Sequence, residues 1–124
     1  MNSDDLKRRT KAYGLHIIRL VETLPKSKSA DVIGYQLVKC GTSVGANYRA
    51  ACRARSRADF ISKLGIVEEE ADESVYWMEI LEDSGIIRAT QLKELQQEGN
   101  ELLAIIVSSI NTAKRNRKSE IRNP

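Results

Sequence analysis

The chain has 124 residues, of which 41% are hydrophobic and 30% charged, and its formal net charge is +3. This balance fits one soluble globular domain with a single core and excludes a disordered chain. No run approaches the roughly 20 apolar residues of a transmembrane helix, and the first residues form no signal-peptide pattern. With two cysteines and no secretion signal, we expect a cytoplasmic protein with free thiols.

The charge is distributed unevenly along the chain. Residues 1–60 carry a net charge of +7, residues 61–105 carry −8, and residues 106–124 carry +4. Basic segments of this kind favour an anionic partner on one surface. Pairing of the basic segments with the acidic one, within the chain or between subunits, explains the pattern equally well.

Four segments show the 3.6-residue apolar period of an amphipathic helix. The first begins at Ser3 or Asp4 as N-cap and ends at Pro25. Its apolar face is Leu6, Tyr13, Ile17, Leu20, Val21 and Leu24. The second extends over residues 29–53, and its apolar face is Ile33, Leu37, Cys40, Val44, Tyr48 and Ala51.

The third helix begins at Ser56, where Asp59 takes the acidic position of a capping box, and Gly85 fits the C′ position beyond its end. Its apolar face is Phe60, Leu64, Val67, Ala71, Val75, Met78 and Leu81. The fourth is capped near Thr90. Its apolar face is Leu92, Leu95, Gly99, Leu103, Ile106, Ile110 and Ala113.

The helices have similar lengths and short connections. The sequence therefore predicts an all-α, antiparallel up-down-up-down four-helix bundle over residues 1–113. Residues 114–124 (KRNRKSEIRNP) have little apolar surface, so we expect them to form a disordered basic tail.

The stretch CGTSVGANYRAACRARSRADF, residues 40–60, contains two glycines four positions apart. A phosphate-binding P-loop requires GxxxxGK[ST] after a strand, whereas Gly45 is followed by Ala46 within a helical period. Gly41 and Gly45 instead predict the close approach of a neighbouring helix. The opposite flank carries a polar row that predicts a hydrogen-bond network fixing helix register. This row is Gln36, Ser43 and Asn47.

The same stretch gathers arginines at the corner between the second and third helices. They form either a solvated helix corner or an anion-binding site. The anion would be a phosphate or a carboxylate of another subunit. The candidate nucleic-acid-binding residues, from corner and tail, are Arg49, Arg53, Arg55, Arg57, Lys114, Arg115, Arg117 and Lys118. Apolar and acidic residues off the core faces indicate self-association. The candidate oligomer interface is Ile66, Trp77, Glu69, Glu73 and Ile105.

Catalytic and metal-binding groups are sparse. The single histidine, His16, has no Glu-x-x-His pattern, and Cys40 and Cys52 lack zinc-motif spacing. No Ser/His/Asp or Cys/His set can be assembled from one histidine, so we expect no enzymatic activity, no cofactor and no metal site. Recognition of a phosphorylated small molecule is the one enzymatic alternative.

The segment KCGTSVGANYRAACRARSRADFISKLGIVEEEADESVYWMEIL, residues 39–81, resembles the bacterial four-helix-bundle proteins encoded in intervening sequences of 23S ribosomal RNA genes. The matching pattern is Ser43-x-x-x-Asn47, a basic turn with Arg55, then Phe60 and an acidic third helix. Where many members have Glu-Gly after the asparagine, this chain has Ala-Cys at residues 51–52. The resemblance implies a ring-like homopentamer. A related member is the accessory protein of diversity-generating retroelements, whose partners are nucleic acid and a reverse transcriptase.

Two functions are consistent with these observations. The first is a non-enzymatic oligomeric bundle that binds RNA or other nucleic acid through phosphate contacts, with strong salt dependence. The second is a protein-interaction scaffold in which the basic corner pairs with the acidic third helix of a neighbouring subunit and no nucleic acid is bound.

Overall fold

The computed structural model describes residues 1–122, which form four α-helices and no strand. The helices are α1 (Ser3–Glu22), α2 (Lys28–Ala51), α3 (Arg57–Asp83) and α4 (Ala89–Arg122). Each helix packs against the next along the chain, and a smaller contact joins α4 to α1. Since the connections are short, sequential neighbours are antiparallel. The predicted all-α four-helix bundle is confirmed.

Local side chains determine where the helices begin and end. α1 starts one residue earlier than predicted, because the N-cap is Asn2, whose side chain accepts from the Asp5 N–H at 2.9 Å. The Asp5 carboxylate accepts in return from the Asn2 N–H at 3.4 Å, which completes a capping box. α3 begins after Ser56, as predicted. Gly85 follows its C-cap at φ +76°, a left-handed conformation that favours glycine.

The four apolar faces close into one core. The largest fully buried side chains of that core include Tyr13, Ile17, Leu37, Leu64, Met78, Leu102 and Ile106. In α4 the predicted Leu92 and Leu95 are buried, but the next buried leucine is Leu102, whereas the predicted Leu103 is half-buried. Leu102 lies three residues from Gly99 and Leu103 four, so the helical period admits either, and the bundle buries Leu102.

A buried pair of hydroxyl groups joins α1 to α3. The Tyr13 hydroxyl lies 2.7 Å from Ser74 Oγ, and Ser74 Oγ donates to the Ala71 carbonyl at 2.7 Å. Because the Ser74 proton is used on the carbonyl, Tyr13 is the donor in the pair. Burial raises the pKa of Tyr13 to about 12, so the hydroxyl keeps its proton at neutral pH.

The predicted close approach at the glycines of α2 is confirmed, and the neighbour is α1. A Cβ atom at Gly45 would lie 3.3 Å from backbone atoms of Thr10 and Lys11, and one at Gly41 would collide with the Ile17 side chain. The glycines therefore allow two helix backbones to pack closely, at the cost in helix propensity that glycine carries.

The C-terminal segment differs from the disordered tail that the sequence predicts. α4 continues as a helix from residue 113 to Arg122. No proline or glycine interrupts this segment, and its basic residues interact favourably with the negative end of the helix dipole. Glu120 also accepts a hydrogen bond from Arg57 Nε at 2.9 Å. Residues 123–124 of the predicted tail lie outside the described residues.

Replacement of Tyr13 by phenylalanine tests the buried hydroxyl pair. We expect Tyr13→Phe to lower the free energy of unfolding by about 1 kcal/mol, since it removes one buried hydrogen bond while the ring still fills its site. Urea denaturation at fixed protein concentration measures the change. Tyr35→Phe is the matched control, because Tyr35 is 65% exposed and should change stability by less than about 0.5 kcal/mol. Equal effects of the two variants would contradict the assigned role.

Leucine substitution at two glycines tests the close packing of α1 on α2. Gly45→Leu forces a side chain against the α1 backbone and should cost about 1–3 kcal/mol of stability. Gly65→Leu introduces the same side chain in α3 where no atom lies within 4 Å of the added Cβ, so the gain in helix propensity should leave it neutral or stabilising. Thermal unfolding of both variants, followed by circular dichroism, decides between these outcomes; a Gly45→Leu variant as stable as Gly65→Leu would refute the packing argument.

Candidate nucleic-acid interface

The antiparallel order of the helices brings four helix termini to one end of the bundle. These are the N-terminal turns of α1 and α3 and the C-terminal turns of α2 and α4. Arg49 of α2 lines the same groove as Lys7 and Lys11 of α1, and the Arg57 guanidinium lies 2.8 Å from the Glu120 carboxylate of α4. Residues far apart in sequence therefore share one surface.

We call this surface the basic end. Its members are lysines and arginines on the surface of those four helix termini and of the turn between α2 and α3. They are Lys7, Arg8, Lys11, Arg49, Arg53, Arg55, Arg57, Lys114, Arg115, Arg117 and Lys118. All eight residues predicted from the sequence as nucleic-acid contacts belong to it. The three α1 cations were missed, because no local pattern in the sequence relates them to the corner.

The corner itself has a defined backbone geometry. Residues 52–56 connect α2 to α3, so Arg53 and Arg55 lie in the turn rather than on a helix. The Arg55 N–H donates to the Asp59 carboxylate at 3.2 Å, and the Asp59 N–H donates to Ser56 Oγ at 3.1 Å. A hydrogen bond from Lys63 and the one from the Arg55 N–H lower the pKa of Asp59. The turn is thus held by the side chains of Asp59 and Ser56, which accept from backbone N–H groups, and the side chains of Arg53 and Arg55 remain available.

Most cations of the basic end have no acidic partner. Three are paired: Lys7 lies 3.9 Å from Asp4, Arg8 pairs with Asp5, and Arg57 pairs with Glu120. Exposed pairs of this kind contribute little and exchange readily. The other eight members are exposed and have no ion pair at 4 Å within residues 1–122: Lys11, Arg49, Arg53, Arg55, Lys114, Arg115, Arg117 and Lys118. An uncompensated cluster of this size produces a strong positive potential.

The carboxylates in the acidic run of α3, residues 68–73, likewise lack cationic partners in the described chain. None of Glu68, Glu69, Glu70, Asp72 and Glu73 has a lysine or arginine nitrogen within 4 Å. Burial and the neighbouring charge of Glu73 raise the pKa of Glu70. The sequence pattern allows these acidic residues to pair with basic residues of the same chain or of another subunit. Pairing within the described chain is not formed by these five residues.

Arg9 differs from the other cations of α1, because it is fully engaged with α4. Its guanidinium donates to Glu98 at 2.8 and 2.6 Å and to Glu101 at 2.6 Å. These contacts, with the Glu98 hydrogen bond foremost, raise the pKa of Arg9. The bidentate pair joins α1 to α4 across their small contact, so the role of Arg9 is to stabilise the packing of these two helices.

The polar row of α2 forms local hydrogen bonds instead of the predicted network between helices. Ser43 Oγ donates to the Lys39 carbonyl at 2.7 Å, and Asn47 Nδ2 donates to the Ser43 carbonyl at 2.8 Å. Gln36 is half-buried, and its side chain forms no hydrogen bond within residues 1–122. Side chains four residues apart along a helix readily bond to the preceding turn in this way. A hydrogen-bonded contact that does join two helices is that of Arg9 with Glu98.

The residues predicted as an oligomer interface occupy two kinds of position. Ile66, Glu69 and Glu73 are exposed on α3. Trp77 is half-buried against the core, and its Nε1–H donates to Glu73 Oε1 at 3.2 Å. Ile105 of α4 is also half-buried against the core. Their participation in an interface stays a prediction.

The remaining reactive groups are dispersed. His16 is exposed on α1, Cys40 is buried and Cys52 is half-buried, and both thiols are free. Burial raises the pKa of Cys40 to about 12. Over residues 1–122, no three His, Cys, Asp or Glu side chains are placed to hold a metal ion together. In the same part of the chain, every helix falls short of the length or apolarity needed to cross a bilayer.

Comparison with known proteins identifies the family. The model of the 23S rRNA-intervening sequence protein family matches residues 4–108. The crystal structure of a protein of unknown function from the S23 ribosomal protein family of Bacteroides thetaiotaomicron is 33% identical, with a TM-score of 0.82. The match covers 90% of this chain and 99% of that one. A search of curated proteins finds no match. The chain belongs to the 23S rRNA-intervening sequence protein family, as its resemblance to that family predicted.

Proposed function

We propose that this protein is a non-enzymatic, oligomeric helical module that binds RNA or another nucleic acid through the basic end. The observation that carries the proposal is the cluster of eight exposed cations without an ion pair at one end of residues 1–122. Their arrangement supports contact with phosphates, because lysine and arginine are the residues that neutralise a nucleic-acid backbone. The family description, which refers to ribosomal RNA genes, is compatible with this role.

The side chains available at the basic end favour the backbone of the nucleic acid over its bases. Base stacking requires exposed aromatic rings, whereas Tyr48 is buried and Phe60 half-buried beside the corner. Binding through phosphates alone has weak sequence preference and depends strongly on salt. Repetition of the basic end in a homo-oligomer, which we propose to be a pentamer by analogy with the family, would increase avidity without new contacts. A reverse transcriptase is a candidate protein partner on the same analogy.

Salt-dependent titration with a labelled single-stranded RNA and a structured RNA tests the proposal. For four to six phosphate contacts, log Kobs should fall linearly with log salt concentration with a slope of about −3 to −5. The double variant Arg53→Glu/Arg115→Glu should weaken binding by about 30-fold or more at low salt, since it removes two contacts and adds two repulsions.

The matched control is Arg19→Glu/Arg88→Glu, which changes net charge by the same amount at the opposite end of the bundle. Both of its target arginines are exposed. We expect this control to weaken binding only a few-fold, through long-range charge. Equal losses in the two double variants, or no binding of either RNA at low salt, would refute the role of the basic end.

A second function, the protein-interaction scaffold, is favoured by the acidic run of α3. Its five carboxylates have no cation within 4 Å in residues 1–122, so they are free to pair with the basic corner of a neighbouring subunit. Arg49→Glu/Arg53→Glu separates the two functions. A fall in oligomeric mass with preserved helicity assigns these arginines to subunit contact, whereas a loss confined to RNA binding assigns them to the nucleic acid.

A further inference from the structure

The outer side of the α1–α2 pair carries a groove of about 450 Å³. Small residues line it, among them Gly14, Gly45 and Ala46. Because these residues have little or no side chain, the backbones of both helices are accessible between the longer side chains that flank them. Leu15 and Ile18 line one wall and are 45% and 37% exposed. Uncovered aliphatic side chains beside a concave surface are typical of a contact site.

One end of this groove is basic. Lys7, Arg8, Lys11 and Arg49 line it, and in the described residues neither Lys11 nor Arg49 has an acidic group within 4 Å. The groove thus combines an aliphatic wall with cations along one rim. An occupant that matches it needs exposed apolar side chains interleaved with carboxylates on a convex surface.

The outer face of α3 has these properties. Ile66 and Tyr76 are 42% and 51% exposed, and they lie ten residues apart on one side of the helix. Glu69 and Glu73 lie between them at helical spacing, so the four side chains form one stripe. We call this set the α3 stripe. Neither Glu69 nor Glu73 has a cationic partner in residues 1–122.

We propose that the α1–α2 groove receives the α3 stripe of a second copy of this chain. The two surfaces are complementary, since an apolar groove with the unpaired cations Lys11 and Arg49 on its rim matches an apolar helix face with unpaired carboxylates. The two surfaces are different and lie on different helices, so the contact is heterologous and generates a ring or a chain of subunits. The proposal deepens the self-association proposed above and is independent of nucleic-acid binding.

A glutamate at the apolar wall tests the groove. Ile18→Glu should raise the dissociation constant of self-association at least about tenfold, because a charge would be buried against an apolar surface. Val107→Glu is the matched control, since Val107 is also 37% exposed but lies on α4 outside the groove. Sedimentation equilibrium measures the assembly, and circular dichroism verifies that both variants remain helical.

Charge exchange tests the choice of occupant. Lys7→Glu/Lys11→Glu in the groove and Glu69→Lys/Glu73→Lys in the stripe should each abolish assembly alone. Combining both double variants in one chain should restore it, because every groove is then acidic and every stripe basic. Adding Val107→Glu to either double variant instead should restore nothing.

Three results would overturn the proposal. They are a wild-type chain that is monomeric at high micromolar concentration, assembly that Ile18→Glu leaves unchanged, and double variants that each fail to assemble alone and also fail when combined in one chain. In the last case an acidic partner protein or an anionic amphiphile becomes the better occupant of the groove. RNA titration of the Ile18→Glu monomer separates this outcome from failure of the proposed function: retained weak, salt-dependent binding preserves the basic end, whereas its loss removes that function.

Discussion

Antiparallel closure of four apolar helix faces is the constraint from which the remaining features follow. Burial of side chains such as Leu37, Leu64 and Met78 drives the helices together, since each apolar face is otherwise exposed to water. Short connections then reverse the chain at every turn. As a result, the N-terminal turns of α1 and α3 meet the C-terminal turns of α2 and α4, and cations from distant segments form one surface.

The same closure leaves charges of opposite sign on separate surfaces. The basic end holds cations without counter-charges, while the acidic run of α3 holds carboxylates without cations in the described residues. Like charges within each cluster repel one another: burial raises the pKa of Glu70, and the neighbouring charge of Glu73 raises it further. Contact with an external anion, or with the opposite surface of another copy, relieves that cost. The proposed nucleic-acid binding and the proposed self-association are therefore compatible with one charge distribution.

Much of the fold could be predicted because it depends on local pattern. The helical period identified all four helices, and Ser56 and Gly85 marked the limits of α3. The exceptions depended on tertiary packing: the choice between Leu102 and Leu103 is made by the neighbouring helices. Helix propensity and the contact of Arg57 with Glu120 support the C-terminal helix, which composition alone did not indicate.

The candidate site was predictable only in part. The corner arginines form a visible local cluster, whereas Lys7 and Lys11 join them only once α1 lies beside α2. Arg9 is adjacent in sequence to the cations of α1 but is not available at this surface, since the structure shows that it is hydrogen-bonded to Glu98 and Glu101 of α4.

Ultraviolet crosslinking of a bound RNA, followed by mass spectrometry of the crosslinked peptides, tests the central claim most directly. If the fold assembles the basic end, crosslinks will occur together in the first turns of α1, at residues 53–57 and in the last turns of α4. Crosslinks centred on the opposite end, around Arg19 and Arg88, or confined to the C-terminal residues alone, would contradict the account.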